Sequence, residues 1–175
     1  YVEDYAAPVF KQNASCRAVY EYAKEHLPQY SKVLLAMRWG SQMPENSHSL
    51  AYDADFFKKF DLMLKKLSSE KQAVYLMLDN PNLSYNGLRT YILSYRIPGF
   101  NQNLVIDEQN TFKGNERIKK LAEKYANVHI IDAAAYIPQN FKINGLPVYS
   151  DRDHINPYGG RELAKRFSEK HTLLQ

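Results

Sequence analysis

The segment Tyr149-Ser150-Asp151-Arg152-Asp153-His154 puts two carboxylates and an imidazole within a few residues, just ahead of a helix that Asn156 and Pro157 are suited to start. An imidazole titrates near neutral pH, so it can take up a proton and return it within one reaction cycle. A carboxylate three residues earlier can orient the ring and stabilise the imidazolium that forms. Asp151 and His154 thus read as two thirds of a nucleophile, base and carboxylate set. On spacing alone a helix-entry turn is the better reading, with the aspartate satisfying backbone N–H groups and the histidine merely packing, since such pairs are common. Asp151, Asp153 and His154 could also ligate a metal, but no second histidine cluster joins them and none is expected.

To position such a turn, the chain offers an alternation of apolar runs and amphipathic stretches. Cys16 to Leu27 carries Val19, Ala23 and Leu27 at every fourth position before Pro28, the pattern of a helix. Val33-Leu34-Leu35-Ala36-Met37 is continuous rather than alternating, as in a parallel strand covered on both faces. Asp53 is the expected N-cap of a helix with Phe56, Phe57, Phe60, Met63, Leu64 and Leu67 on one stripe. Ala73 to Leu78 and Val128 to Asp132 read as two more strands, separated by a helix with Ile118, Leu121, Ala122 and Tyr125 inward. Residues 80–103 read mostly as loop, with a short helix near Leu88 to Tyr95. After Asn156 and Pro157, Leu163, Ala164 and Phe167 form the inner face of a last helix. The order predicts one α/β domain over residues 1–175, a three-layer, doubly wound parallel sheet.

Ligands of such sheets collect beyond the carboxyl ends of the strands, which singles out Arg38-Trp39-Gly40-Ser41, Asp79-Asn80-Pro81 and Asp132-Ala133. Arg38 and Trp39 weigh evenly between a stacked pair closing a strand and a role in a site. His26, His48, His129 and His171 have no partner motif and read as surface or core residues.

The 175 residues are 45% hydrophobic, enough for a core, and no apolar run is long enough to cross a bilayer. The opening Tyr1-Val2-Glu3-Asp4 has no Met and no leader pattern, so the expectation is a processed chain or a piece of a longer one. A net charge of +4 is carried largely by helix-face pairs such as Lys58-Lys59, Lys65-Lys66 and Lys119-Lys120, which argues against a nucleic-acid partner. Fourteen tyrosines suit sugar-contacting surfaces as well as cores. With Cys16 as the single cysteine, a disulfide or a multi-cysteine metal site within these residues is excluded.

The stretch from Pro147 to Gly160, with Tyr149, Asp151, His154 and Gly159, resembles the C-terminal Asp-x-x-His block of SGNH hydrolases. It is more closely similar to SGNH domains fused to membrane-bound acyltransferase-3 proteins that O-acetylate bacterial surface sugars, where Tyr-x-Asp-x-x-His-x-x-x-x-Gly recurs. Cys16 ahead of a helix, the run Leu34 to Trp39 with its Arg-Trp pair, and Tyr75-Leu76-Met77 resemble the same subfamily. The resemblance spans most of the chain, and the last block is its specific part.

The resemblance implies an SGNH hydrolase or flavodoxin-like sheet with His154 as catalytic base, Asp151 as its partner and Asp153 off the family position. The family's Gly-x-Asn-Asp asparagine is unmatched; Arg38 stands at about that place, and Arg38 with Trp39 is expected near the oxyanion, where an N–H donor stabilises developing charge. No Gly-Asp-Ser block is present; Ser41 follows the wrong strand and Ser150 is too close to Asp151. The nucleophilic serine and the sheet's first strand are therefore expected upstream of these residues. The implied activity is Ser-His-Asp acyl transfer, an O-acetylation of a surface carbohydrate at the periplasmic face of a bacterial inner membrane. A transmembrane acyltransferase domain in the same protein would deliver acetyl groups from acetyl-CoA, with no cofactor bound here. Cys16 would pair with an upstream cysteine in that oxidising compartment. A carbohydrate esterase with the same residues, and a non-catalytic glycan-binding module using the Tyr-rich loop at residues 80–103, remain the alternatives.

Overall fold

The computed structural model describes residues 14–44, 48, 52–100, 103–107 and 111–170. In chain order the elements are α1 (Ala14–His26), β1 (Lys32–Ala36), α2 (Phe56–Glu70), β2 (Ala73–Met77), β3 (Asn82–Leu83), α3 (Gly87–Arg96), β4 (Ile106–Asp107), α4 (Thr111–Ala122), β5 (Val128–Ile131), β6 (Lys142–Ile143), β7 (Leu146–Pro147) and α5 (Pro157–Ser168). They fall into two compact units, one drawn from residues 1–79 and 112–131, the other from 80–111 and 132–175.

The first unit is built on the three predicted strands, which form a parallel sheet in the order β1-β2-β5. Lys32 lies opposite Ala73 and Val74 opposite Val128, so the continuous apolar runs are in register. Central β2 is covered as expected: Ala73, Val74 and Leu76 are buried. β1 departs from the expectation of cover on both faces, because it lies at the sheet edge and Leu34 is 49% exposed. From α2, Phe56, Phe57, Phe60, Leu64 and Leu67 enter the core, and Met63 packs against it.

Three local expectations change in this unit. The N-cap of α2 is Asp55, not Asp53; Asp53 accepts the Asp55 N–H at 2.9 Å and pairs with Lys59 at 2.6 Å, stabilising the turn before the helix. In α1, Val19 and Ala23 are exposed and only Leu27, just past the helix, packs on the core, since none of the described elements covers that face. Helix α4 ends at Ala122, and Tyr125 lies beyond it, donating its hydroxyl to Asp61 Oδ1. The Cys16 side chain, and with it the expected disulfide, lies outside the described residues, as does His171.

The second unit has its own apolar centre: Leu83, Phe141, Ile143, Val148, Tyr149 and Leu163. Helix α5 starts as the sequence predicts, with Asn156 accepting the Gly159 N–H at 2.7 Å and Pro157 in the first turn. A side chain at Gly159 would collide with the Val148 carbonyl, so the helix and the segment just after β7 meet backbone to backbone. Leu163 is buried, but Ala164 is exposed, because the buried stripe of α5 is narrower than its apolar content suggests. Helix α3 occupies the place of the expected short helix, with Asn86 as its cap. The two-residue strands β3, β4, β6 and β7 are additions to the predicted elements. β6 and β7 are joined by Asn144 and Gly145 at φ 50° and 79°, the left-handed pair that closes a tight hairpin. Among the described residues no helix is long and apolar enough to cross a membrane.

Candidate active site

The turn bearing Asp151 and His154 belongs to the second unit and is held by its backbone. Tyr149 and Ile155 pair across its base, and the Ser150 N–H donates to the His154 carbonyl at 2.9 Å. The carbonyls of Asp151 and Arg152 accept from the N–H groups of Gly87 (2.8 Å) and Leu83 (2.6 Å), tying the turn to the start of α3 and to β3. Arg152 adds a second tie: its Nε donates to the Leu83 carbonyl at 3.0 Å and a terminal nitrogen pairs with Asp107 at 3.1 Å. Beneath it Tyr149 is buried, with its hydroxyl donating to the Pro81 carbonyl at 2.9 Å. Burial, and secondarily the charge of Asp153, push that phenol well above its ordinary range.

The fixed backbone sets the side chains. One oxygen of Asp151 accepts the N–H groups of Asp153 (2.9 Å) and His154 (2.7 Å), and the other lies 2.8 Å from His154 Nδ1. The backbone N–H groups of Asp153 and then His154 hold the Asp151 carboxyl far below the usual carboxylate range, against the opposing effect of burial and with help from the His154 side chain. An ionised carboxylate accepts and cannot donate, so Nδ1 carries the hydrogen of that bond and Nε2 carries the lone pair of the neutral ring. With its side chain 72% exposed, His154 can present this nitrogen to a reactant. Asp153, off the family position, nonetheless comes within 3.2 Å of Nδ1, a second negative charge for the imidazolium. Donor atoms of Asp151, Asp153 and His154 lie within 4.8 Å of one another, but Asp151 already serves two N–H groups and the imidazole.

Arg38 and Trp39 belong to the first unit, where they follow β1. Trp39 is fully buried: its ring lies 5.1 Å from that of Phe60, and its Nε1–H donates to the Met77 carbonyl at 2.7 Å. Arg38 is exposed at the end of the strand. Beyond them the Gly40 N–H donates to Asp79 Oδ2 at 2.9 Å, while Asn115 bonds both the N–H and the carbonyl of Asp79. Burial raises the Asp79 carboxyl above its ordinary range, although the Gly40 and Trp39 N–H groups and the Arg38 charge pull it down. Gly114 leaves no room for a side chain here, since a Cβ would lie 2.6 Å from the Gly40 nitrogen.

Sequence reasoning passes over Asp153 as a neighbour of the imidazole and Gly87, Leu83 and Arg152 as supports of the turn. Of these only Arg152 carries a signal, a long cation inside the motif. Ser150 donates to the His154 carbonyl at 3.1 Å and Ser41 to that of Arg38 at 2.6 Å, so both hydroxyls serve their own turns. His26 stacks on Tyr22, His129 lies against Tyr75 and His48 is exposed.

Residues 3–169 match the family model described as "SGNH domain (fused to AT3 domains)", so a single match runs through both units. No curated protein matches the sequence significantly. Among solved structures the chain is similar to the "Structure of Salmonella ser. Paratyphi A lipopolysaccharide acetyltransferase periplasmic domain", with a TM-score of 0.62 and 12% identity over 89% of this chain. The chain spans 62% of that chain's length. At this identity the likeness is one of fold.

Proposed function

We propose that this chain, which belongs to the family of SGNH domains fused to AT3 domains, is part of an enzyme that O-acetylates a bacterial cell-surface carbohydrate. The observation that carries this reading is the 2.8 Å contact of Asp151 with His154 Nδ1 in a turn fixed at both ends by backbone hydrogen bonds.

The chemistry is a two-step acyl transfer. A serine from upstream of these residues attacks the carbonyl of the acetyl donor while His154 Nε2 takes its proton; the donor's leaving group departs with that proton, and acetyl-serine remains. A sugar hydroxyl then gives its proton to Nε2 and attacks the acetyl-serine, and the serine recovers the proton as the acetylated sugar leaves. Asp151 stays ionised throughout and keeps the ring in the tautomer with Nε2 as the base. No bound cofactor is required. The fused AT3 domain supplies the acetyl group, drawn from acetyl-CoA, and the SGNH domain works on the extracytoplasmic side. The likeness to a Salmonella lipopolysaccharide acetyltransferase periplasmic domain supports both the reaction class and the compartment.

The test uses the complete protein with its AT3 domain, an acetyl donor and a surface glycan. Acetylated glycan formed by the native protein and absent with His154→Ala supports transfer. Release of free acetate alone, with water as the acceptor, points instead to an esterase. Neither product, together with no labelling by a serine-reactive fluorophosphonate, refutes the catalytic reading and leaves glycan binding.

A further inference from the structure

Within the second unit lies a cleft of about 380 Å³. That is near the lower end of ligand sites, which hold roughly 300–1,000 Å³, and it suits one or two sugar rings rather than a long chain. Its walls combine aromatic rings (Tyr91, Phe100, Phe141) with side-chain amides (Gln139, Asn140). Rings cover the C–H face of a pyranose, and an amide both donates to and accepts from sugar hydroxyls. The lining contains a single charge, Lys142, and no acidic residue. The Lys142 ammonium stands 5.3 Å from the centre of the Tyr91 ring, and no carboxylate among the described residues pairs with it. Held over a ring in a recess with no acidic residue among the described ones, this cation is ready for an anion.

The cleft is also joined to the His154 turn. Tyr149 and Gly87 both line it; Tyr149 precedes Asp151 by two residues, and the Gly87 N–H donates to the Asp151 carbonyl. We propose that the cleft binds a short segment of the acceptor glycan, one or two sugar units bearing a carboxylate or a phosphate that pairs with Lys142. This rests on the reading of the chain as a glycan O-acetyltransferase and names the charge character of its acceptor.

The experiment titrates the full chain with methyl glucuronide, glucose 6-phosphate and methyl glucoside, following tyrosine and lysine resonances by NMR. The charged sugars are expected to bind about tenfold more tightly than the neutral one, the value of one charge-assisted hydrogen bond. Whichever charged sugar binds more tightly identifies the anion. Lys142→Gln should remove the preference while leaving binding of the neutral glycoside, and Ser94→Trp should block all three by filling the cleft. Equal affinities, no binding, or a charge preference that survives Lys142→Gln overturns the proposal. His154→Ala must keep the preference; its loss there would move the contact to the turn and also overturn it. Charged sugars bound in the cleft without acetylated product would sink the transferase reading alone, and acetylation without cleft binding would sink this inference alone.

Discussion

At His154 the protein has invested in orientation rather than burial. The imidazole is exposed, but Asp151 fixes its Nδ1 side and is itself fixed by two backbone N–H groups. Asp151→Asn would keep an acceptor for those N–H groups, yet the amide could also turn its NH2 toward Nδ1 and select the wrong tautomer. For the complete protein, acetyl transfer should therefore fall about 10²- to 10⁴-fold in kcat with little change in KM, measured by product formation. The Asp151–His154 pair was legible through the longer block from Pro147 to Gly160 that surrounds it, since its three-residue spacing alone fits any helix-entry turn. The approach of Asp153 was not legible, since neighbouring side chains in an irregular turn point where φ and ψ send them. Nor could spacing tell that Trp39 would turn inward while Arg38 stays outside, because a strand end has no period to read.

Among the elements, the loop after β1 depends on a half-buried acid, Asp79. Folding raises the Asp79 carboxyl above its ordinary value of about 3.9, so the folded state holds more protons than the unfolded state between the two values. The contribution of Asp79 to stability is thus full below its ordinary value and is lost as pH rises through the higher folded one. Asp79→Asn cannot ionise. Its stability relative to the native chain should shift in the variant's favour as pH rises through that window, and thermal melts on both sides of it measure the change; parallel pH profiles would count against a raised Asp79 carboxyl. The sheet strands themselves were legible as continuous apolar runs, and α5 as an Asn-Pro start. Two-residue strands carry too few positions to show an alternation, and sequence reasoning passes over Asn144-Gly145, whose residue types suit the tight hairpin they form. Val19 and Ala23 show the opposite failure, a periodic pattern whose partner surface lies outside the described elements.

On the scale of the whole molecule, among the described residues β1 is paired by β2 alone and Leu34 is half exposed, so its other side is an edge of the kind proteins usually cover. In the function proposed above, the strand that leads to the nucleophilic serine pairs with this edge. In hydrogen exchange, the outward amides of β1 should exchange quickly in the 175-residue chain and become protected in the longer fusion protein, with β2 protected in both. Fast exchange of β1 in both proteins would remove the upstream strand from that edge.

Trp39 is the chain's single tryptophan, and it sits sealed among the phenylalanines of α2. All indole fluorescence therefore originates in the sheet unit. Its emission should be shifted to the blue in the folded protein and move to the red when the cage of Phe56 and Phe60 opens. A sugar entering the cleft of the other unit perturbs tyrosines and leaves this colour unchanged. The molecule thus carries a built-in optical probe that separates loss of the sheet from occupation of the cleft in one cuvette.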